Sequence, residues 1–256
     1  MNKISCVIIT LNEEDNIRKC LQSVSWCDEI VLVDSGSTDN TIEIAKGFGA
    51  KIFTKELNGF GEQKRYAVSL ASNDWIFSID ADEVVTDDLR ESIIKRLNSS
   101  EALPAGFSVQ RRLCFLEREF KYGKEGNEFL VRLFNRQRGN FTSAKVHEGV
   151  ELNGESVKLE SVLLHNSYKT LHQYFQKFNN YTTRAANELY EKGKKKNVVL
   201  VYLLFPFYFL KNYFINRNFL NGVQGLMWAF LSSCYPLVKY AKLQDLRRKA
   251  KICSLK

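Results

Sequence analysis

Along the first eighty residues, β-branched runs alternate with stretches of helical period. Ile4–Thr10 is an almost wholly apolar run suited to a buried strand. Glu13–Val24 follows, with Ile17, Cys20, Leu21 and Val24 on one helical face. Asn12 is placed to cap that helix, and the acids after it suit its positive end. Glu29–Val33 predicts a second strand, Thr38–Phe48 a second helix with Gly49 to end it, and Lys51–Phe53 a short strand. Gly61–Leu70 predicts a third helix, and Trp75–Ile79 a strand that ends at Asp80. The alternation predicts an α/β fold, a mostly parallel central sheet flanked by helices on both faces.

After Leu103-Pro104 the pattern changes. Gly106–Leu113 and Val131–Phe134 predict strands of an antiparallel or mixed addition, and the polar segment between them, with Gly123 and Gly126, a loop over the site. A helix rich in Tyr and Phe is predicted over Leu171–Lys192, interrupted by Gly193-Lys194-Lys195-Lys196. The charge-free run Asn197–Leu210 is too short to span a bilayer, and Asn218–Val238 is broken by Asn221, Gly222, Gln224, Gly225 and Pro236. Both read as interfacial helices rather than spans.

Charge divides the chain along the same line. Residues 166–256 carry 16 Lys or Arg against three acids, while the preceding residues are net acidic. We therefore expect two regions, 1–165 catalytic and 166–256 a basic, aromatic-rich helical region. Lys194-Lys195-Lys196 and Arg247-Arg248-Lys249 suit an anionic membrane surface; no nucleic-acid motif accompanies the charge. No signal peptide is read in the short run Val7-Ile8-Ile9 before Glu13. The six cysteines form no CxxC pair and read as reduced thiols, not a zinc site or disulfide framework.

In parallel α/β sheets, ligands bind beyond the carboxyl ends of the strands. Thr10 and Asn12 follow the first strand, Asp34 ends the second, and Asp80 and Asp82 end a later one. Asp80-Ala81-Asp82-Glu83 offers carboxylates for a hard divalent ion on a diphosphate. In Asp34-Ser35-Gly36-Ser37-Thr38-Asp39, helix capping accounts for Ser37, Thr38 and Asp39, which leaves Asp34 as a ligand for a base or ribose. Neither GxxxxGK[ST] nor GxGxxG follows the first strand, which argues against a P-loop ATPase or a dinucleotide-binding oxidoreductase.

Ile8-Ile9-Thr10-Leu11-Asn12-Glu13-Glu14, Val33-Asp34-Ser35-Gly36-Ser37-Thr38-Asp39 and Ile79-Asp80-Ala81-Asp82-Glu83 resemble, in order and spacing, the donor-site motifs of family 2 glycosyltransferases. The resemblance covers roughly residues 3–160. It implies a GT-A fold, a nucleotide-diphosphate-sugar donor (a UDP-hexose), Mg2+ or Mn2+, and inversion at the anomeric carbon. It further implies that Thr10, Asn12 and Glu13 line the nucleotide pocket, Asp34 contacts the base, Asp80 the ribose or metal shell, and Asp82 the metal. Lys64-Arg65 stands where the family places a basic residue by the donor, and Lys64 is favoured.

Val146-His147-Glu148, with Arg132-Leu133-Phe134 before it, resembles the subgroup that includes lipopolysaccharide-core β-glucosyltransferases. By that resemblance Glu148 is the general base; His147 orients it, touches the diphosphate or is itself the base. His165 and His172 read as structural, and Arg111, Arg112 and Arg132 as acceptor contacts, donor contacts or surface salt bridges. The expected activity is a metal-dependent inverting transfer of a hexose to a lipid-linked glycan, at the cytoplasmic face of the inner membrane. The alternatives are transfer to polyprenyl phosphate, or a non-catalytic sugar-nucleotide or lipid-binding protein.

Overall fold

The computed structural model of the chain describes residues 2–142 and 149–253. The chain packs as two units. Met1–Leu113 with Asn127–Asn166 form the first; Cys114–Gly126 with Ser167–Lys256 form the second.

The first unit begins with β1 (Ile4–Thr10), α1 (Glu14–Ser23), β2 (Glu29–Asp34), α2 (Thr41–Lys46), β3 (Lys51–Thr54), α3 (Phe60–Leu70) and β4 (Trp75–Asp80). β1 lies between β2 and β4 and runs parallel to both, and β3 continues the parallel set beyond β2. Period-2 alternation buries both faces of these strands. Ile4, Cys6, Ile8, Ile30 and Leu32 pack with Ile17, Cys20 and Leu21 of α1, while Val7, Val31 and Val33 face Ala67 and Val68 of α3.

Next come β5 (Glu83–Val85), α4 (Asp87–Leu97), β6 (Gly106–Phe115), β7 (Arg118–Glu119), β8 (Glu128–Asn135), β9 (Gly139–Phe141), β10 (Val150–Leu152) and β11 (Ser156–Tyr168). The main sheet has the order β3-β2-β1-β4-β8-β6-β11-β5. β8 is antiparallel to β4 and β6, and β5 to β11. The sheet is thus mixed: β8 runs against both its neighbours and β5 against β11, while β3, β2, β1 and β4 form the expected parallel set. The strands after Leu103 form the expected mixed addition, with β8 antiparallel to β4 and β6.

Two local expectations change. Asn12 does not cap α1: it sits at φ 54°, and its side chain is turned to Thr38, whose N–H it accepts at 2.8 Å. The second helix starts at Thr41, not Thr38, because Ser37 and Thr38 are bonded into the preceding loop, and Asp39 accepts the N–H of Thr41 at 3.0 Å.

In the second unit, α5 (Leu171–Glu191) packs against α8 (Gly222–Cys253). Between them in sequence lie α6 (Val198–Leu203), α7 (Phe205–Leu210), a π-helical turn at Lys211–Ile215 and a 3-10 turn at Asn218–Asn221. Residues 114–126, within the segment expected as a loop over the site, pack as part of this unit. Asn221 accepts the N–H groups of Lys121 and Tyr122, and Trp228 donates to Glu125 at 2.9 Å. Rings of Phe115, Phe120, Tyr168 and Tyr174 surround Trp228. No helix among the described residues is long and apolar enough to cross a membrane. Cys6, Cys20, Cys27, Cys114 and Cys234 are free thiols.

Candidate functional site

The strand order reverses at β1, whose successor β2 lies on one side and whose later neighbour β4 lies on the other. That switch point is where an open α/β sheet leaves a crevice at the carboxyl ends. Register then brings the predicted residues together. Thr10 of β1 stands beside Asp34 of β2, and Ile9 beside Asp80 of β4.

Asp34 is buried and both its carboxylate oxygens accept hydrogen bonds from its own loop. Oδ2 accepts the N–H groups of Gly36 and Ser37, each at 2.8 Å, and Oδ1 accepts the Ser37 hydroxyl. Gly36 has φ 98°, a left-handed conformation that a Cβ would strain. Ser37 in turn accepts the N–H of Asn12 at 2.8 Å, and Thr41 accepts that of Glu13 at 2.8 Å. The first two motifs are therefore one interlocked loop pair. Glu13 also accepts from Asn16 at 2.7 Å. Thr10 is buried, and its hydroxyl has no hydrogen-bond partner among the described residues.

At the end of β4, Asp80 binds two cations. Lys64 reaches Oδ1 and Arg132 reaches Oδ2, both at 2.8 Å. Burial works to raise the Asp80 carboxyl, but Arg132 and Lys64 outweigh it and hold it well below the usual carboxylate range. Lys64 is thus the member of the Lys64-Arg65 pair at the motif; Arg65 donates to the Phe141 carbonyl instead.

Sequence reasoning missed His165, left Arg132 among three readings and gave Glu83 only as a further carboxylate of the Asp80 motif. Arg132 is not a surface residue: it is 3% exposed and also pairs with Glu83. Glu83, fully buried, accepts the Asp80 N–H at 2.9 Å and faces Arg111 at 3.5 Å. His165, read as structural, stands opposite Glu83 in the β5–β11 register, and its Nε2 lies 3.4 Å from Asp82 Oδ2. Burial disfavours the charged imidazole, yet Asp82 outweighs it and raises the His165 pKa. The available signal was an Arg inside the apolar run Leu130–Phe134, and a His ending Val162-Leu163-Leu164. His172 is exposed. His147 and Glu148, the expected base pair, lie outside the described residues.

Residues 5–150 match the model of glycosyl transferase family 2. The chain belongs to glycosyl transferase family 2. An uncharacterized glycosyltransferase of Rickettsia typhi is 31% identical over 98% of this chain and 90% of its own. The lipopolysaccharide core biosynthesis glycosyltransferase LpsC of Rhizobium meliloti is 32% identical over 94% and 91%. A crystal structure of glucosyl-3-phosphoglycerate synthase from Mycobacterium tuberculosis is 26% identical at a TM-score of 0.37, covering 44% of each chain, too loose a likeness to compare sites. The mixed α/β architecture of this family 2 chain is GT-A-like, and the three motifs that carried the resemblance all fall within the matched region.

Proposed function

We propose that this family 2 chain transfers a hexose from a nucleotide-diphosphate-sugar, a UDP-hexose, to a lipid-linked glycan in lipopolysaccharide core assembly. The observation that carries this reading is the adjacency of Thr10, Asp34 and Asp80 at the carboxyl ends of three neighbouring parallel strands, with the Asp82–His165 pair just beyond. Thr10, Asn12 and Glu13 would line the nucleotide, and Asp34 would hold the loop that meets its base.

The residues fit a divalent ion, Mg2+ or Mn2+. Such an ion takes one or two protein carboxylates and completes its shell with phosphate oxygens and water. Asp82 would supply a hard oxygen, with His165 Nε2 standing 3.4 Å from its Oδ2. Asp80, whose oxygens receive Lys64 and Arg132, one each, would be the shared or outer carboxylate of the site. Bound there, the ion would supply Lewis-acid stabilisation of the diphosphate. Lys64 and Arg132 would add fixed positive charge near the same leaving group.

In the transfer, the acceptor oxygen bonds to the anomeric carbon from the face opposite the diphosphate. The anomeric C–O bond breaks and its electron pair leaves on the diphosphate. The hydroxyl proton passes to Glu148, with His147 beside it as orienting group or alternative base. The acid-poor second unit would bring the chain to an anionic membrane surface, as a peripheral protein of the cytoplasmic face of the inner membrane.

Turnover of UDP-glucose with and without Mn2+ tests the reading. Turnover should rise with Mn2+, and Asp82→Ala should lower kcat at least ~100-fold, the scale of losing one stabilising group at developing charge. Metal-dependent turnover that survives Asp82→Ala would remove the ion from Asp82. Near-normal transfer by Glu148→Gln would move the base elsewhere.

A further inference from the structure

The second unit displays an apolar surface that its own packing does not use. Leu203 is 72% exposed, Ile215 71% and Val223 69%. Phe207, Phe214 and Phe219 are exposed between them. These residues come from α6, α7, the π-helical turn, the 3-10 turn and the first turn of α8, yet their elements form one body. Phe205 and Phe209 pack on Phe230 of α8, Phe209 stacks on Tyr213 at 5.6 Å, and Tyr213 meets both Phe214 and Phe219. Ring contacts therefore link α7, the two turns and α8, and Phe214 and Phe219 are both in that network and exposed. Apolar side chains exposed together on this scale mark an interaction surface.

Charge says what covers it. From residue 192 to residue 244 the chain has no acid. Lys194, Lys195 and Lys196 are exposed just before α6, and Lys211 and Arg217 are exposed among the apolar side chains. A second copy would set these cations against themselves, whereas an anionic bilayer offers both apolar depth and phosphate at its surface. The other basic cluster is differently engaged. Arg247 donates to the Lys194 carbonyl at 2.6 Å, and Arg248 and Lys249 pair with Asp245.

We infer that the segment from Val198 to Val223 is a wedge that enters one leaflet of an anionic phospholipid bilayer, with Lys194–Lys196, Lys211 and Arg217 at headgroup level. It rests on the membrane reading proposed above and narrows it to one surface. The wedge lies in the interface, and no helix among the described residues is long and apolar enough to cross a membrane.

Flotation of the full chain with vesicles of phosphatidylcholine and phosphatidylglycerol tests this. The chain should float with these vesicles at low salt. Leu203→Ser/Ile215→Ser/Val223→Ser, at the most exposed positions, should keep the parent's melting temperature and lower vesicle partitioning at least ~10-fold. Lys194→Gln/Lys195→Gln/Lys196→Gln should lower binding to the anionic vesicles ~10-fold or more and leave binding to pure phosphatidylcholine unchanged. Asp82→Ala should float like the parent. If the parent floats and the triple Ser variant floats equally, the wedge is wrong and the membrane reading stands. If the parent does not float at low salt, both are wrong. A parent that is dimeric by light scattering, with a monomeric triple Ser variant and no flotation of either, assigns the surface to a second copy and overturns the wedge.

Discussion

At the residue scale, Arg132 and Glu83 hold the end of β4. Arg132 pairs with Asp80 and Glu83 at once, and Glu83 returns a bond to the Asp80 backbone. Taking such charges out of water is costly, and their geometry has to repay it. Removing one partner leaves the other buried, whereas removing both removes the cost as well. Arg132→Met should therefore destabilise the fold by roughly 3 kcal/mol, read as a lower urea midpoint. Adding Glu83→Leu to Arg132→Met should return part of that loss. A double variant no more stable than the single would mean that the pair is not what Arg132 supplies. The ion pair also explains the limits of reading the site from sequence. Thr10, Asp34 and Asp80 were legible because each ends a buried strand. Arg132 and His165 arrive on β8 and β11, tens of residues later, and strand register is not written in spacing.

At the element scale, α8 shows how a local rule can mislead. Gly222, Gly225 and Pro236 read as breakers, yet one helix of 32 residues runs through Gly225 and Pro236. Gly225 is there for close approach: a Cβ on it would lie 1.9 Å from the Asn218 carbonyl oxygen. That carbonyl belongs to the 3-10 turn whose Asn221 holds residues 121 and 122. Helix propensity alone would have Gly225→Ala stabilise by about 1 kcal/mol. Overpacking should win, and the variant should instead lose about 1–3 kcal/mol, measured by thermal or urea unfolding. A stabilised Gly225→Ala would show that the turn can move aside. The opposite lesson comes from α4. Its Thr86 cap, Asp87-Asp88 start, Lys95-Arg96 end and Leu89, Ile93, Leu97 face are all local signals that sequence could have used. β11 was harder, since charged and polar residues interrupt its alternation over 13 residues.

At the scale of the whole molecule, the first unit has two rims with different tasks. The carboxyl ends of its parallel strands gather the candidate site, and the amino ends are tied by one carboxylate. Glu29 opens β2 and accepts from Lys51 of β3 at 2.6 Å, from the N–H and hydroxyl of Ser72 before β4, each at 2.7 Å, and from Ser5 of β1. Four segments far apart in sequence thus meet on one side chain. Burial pushes the Glu29 carboxyl up, but these bonds, Lys51 foremost, outweigh it and bring its pKa from 4.5 down to about 2. A group whose pKa is lower in the folded chain stabilises the fold above its unfolded value, and that contribution fades as pH falls through the folded one. Glu29 should therefore contribute roughly 2–3 kcal/mol at neutral pH and progressively less as pH falls from about 4.5 towards 2. Glu29→Gln should show that deficit at pH 7, and urea melts of the two proteins should converge as the medium is acidified. A gap that stayed constant with pH would mean that Glu29 holds the rim by its shape and not by its charge.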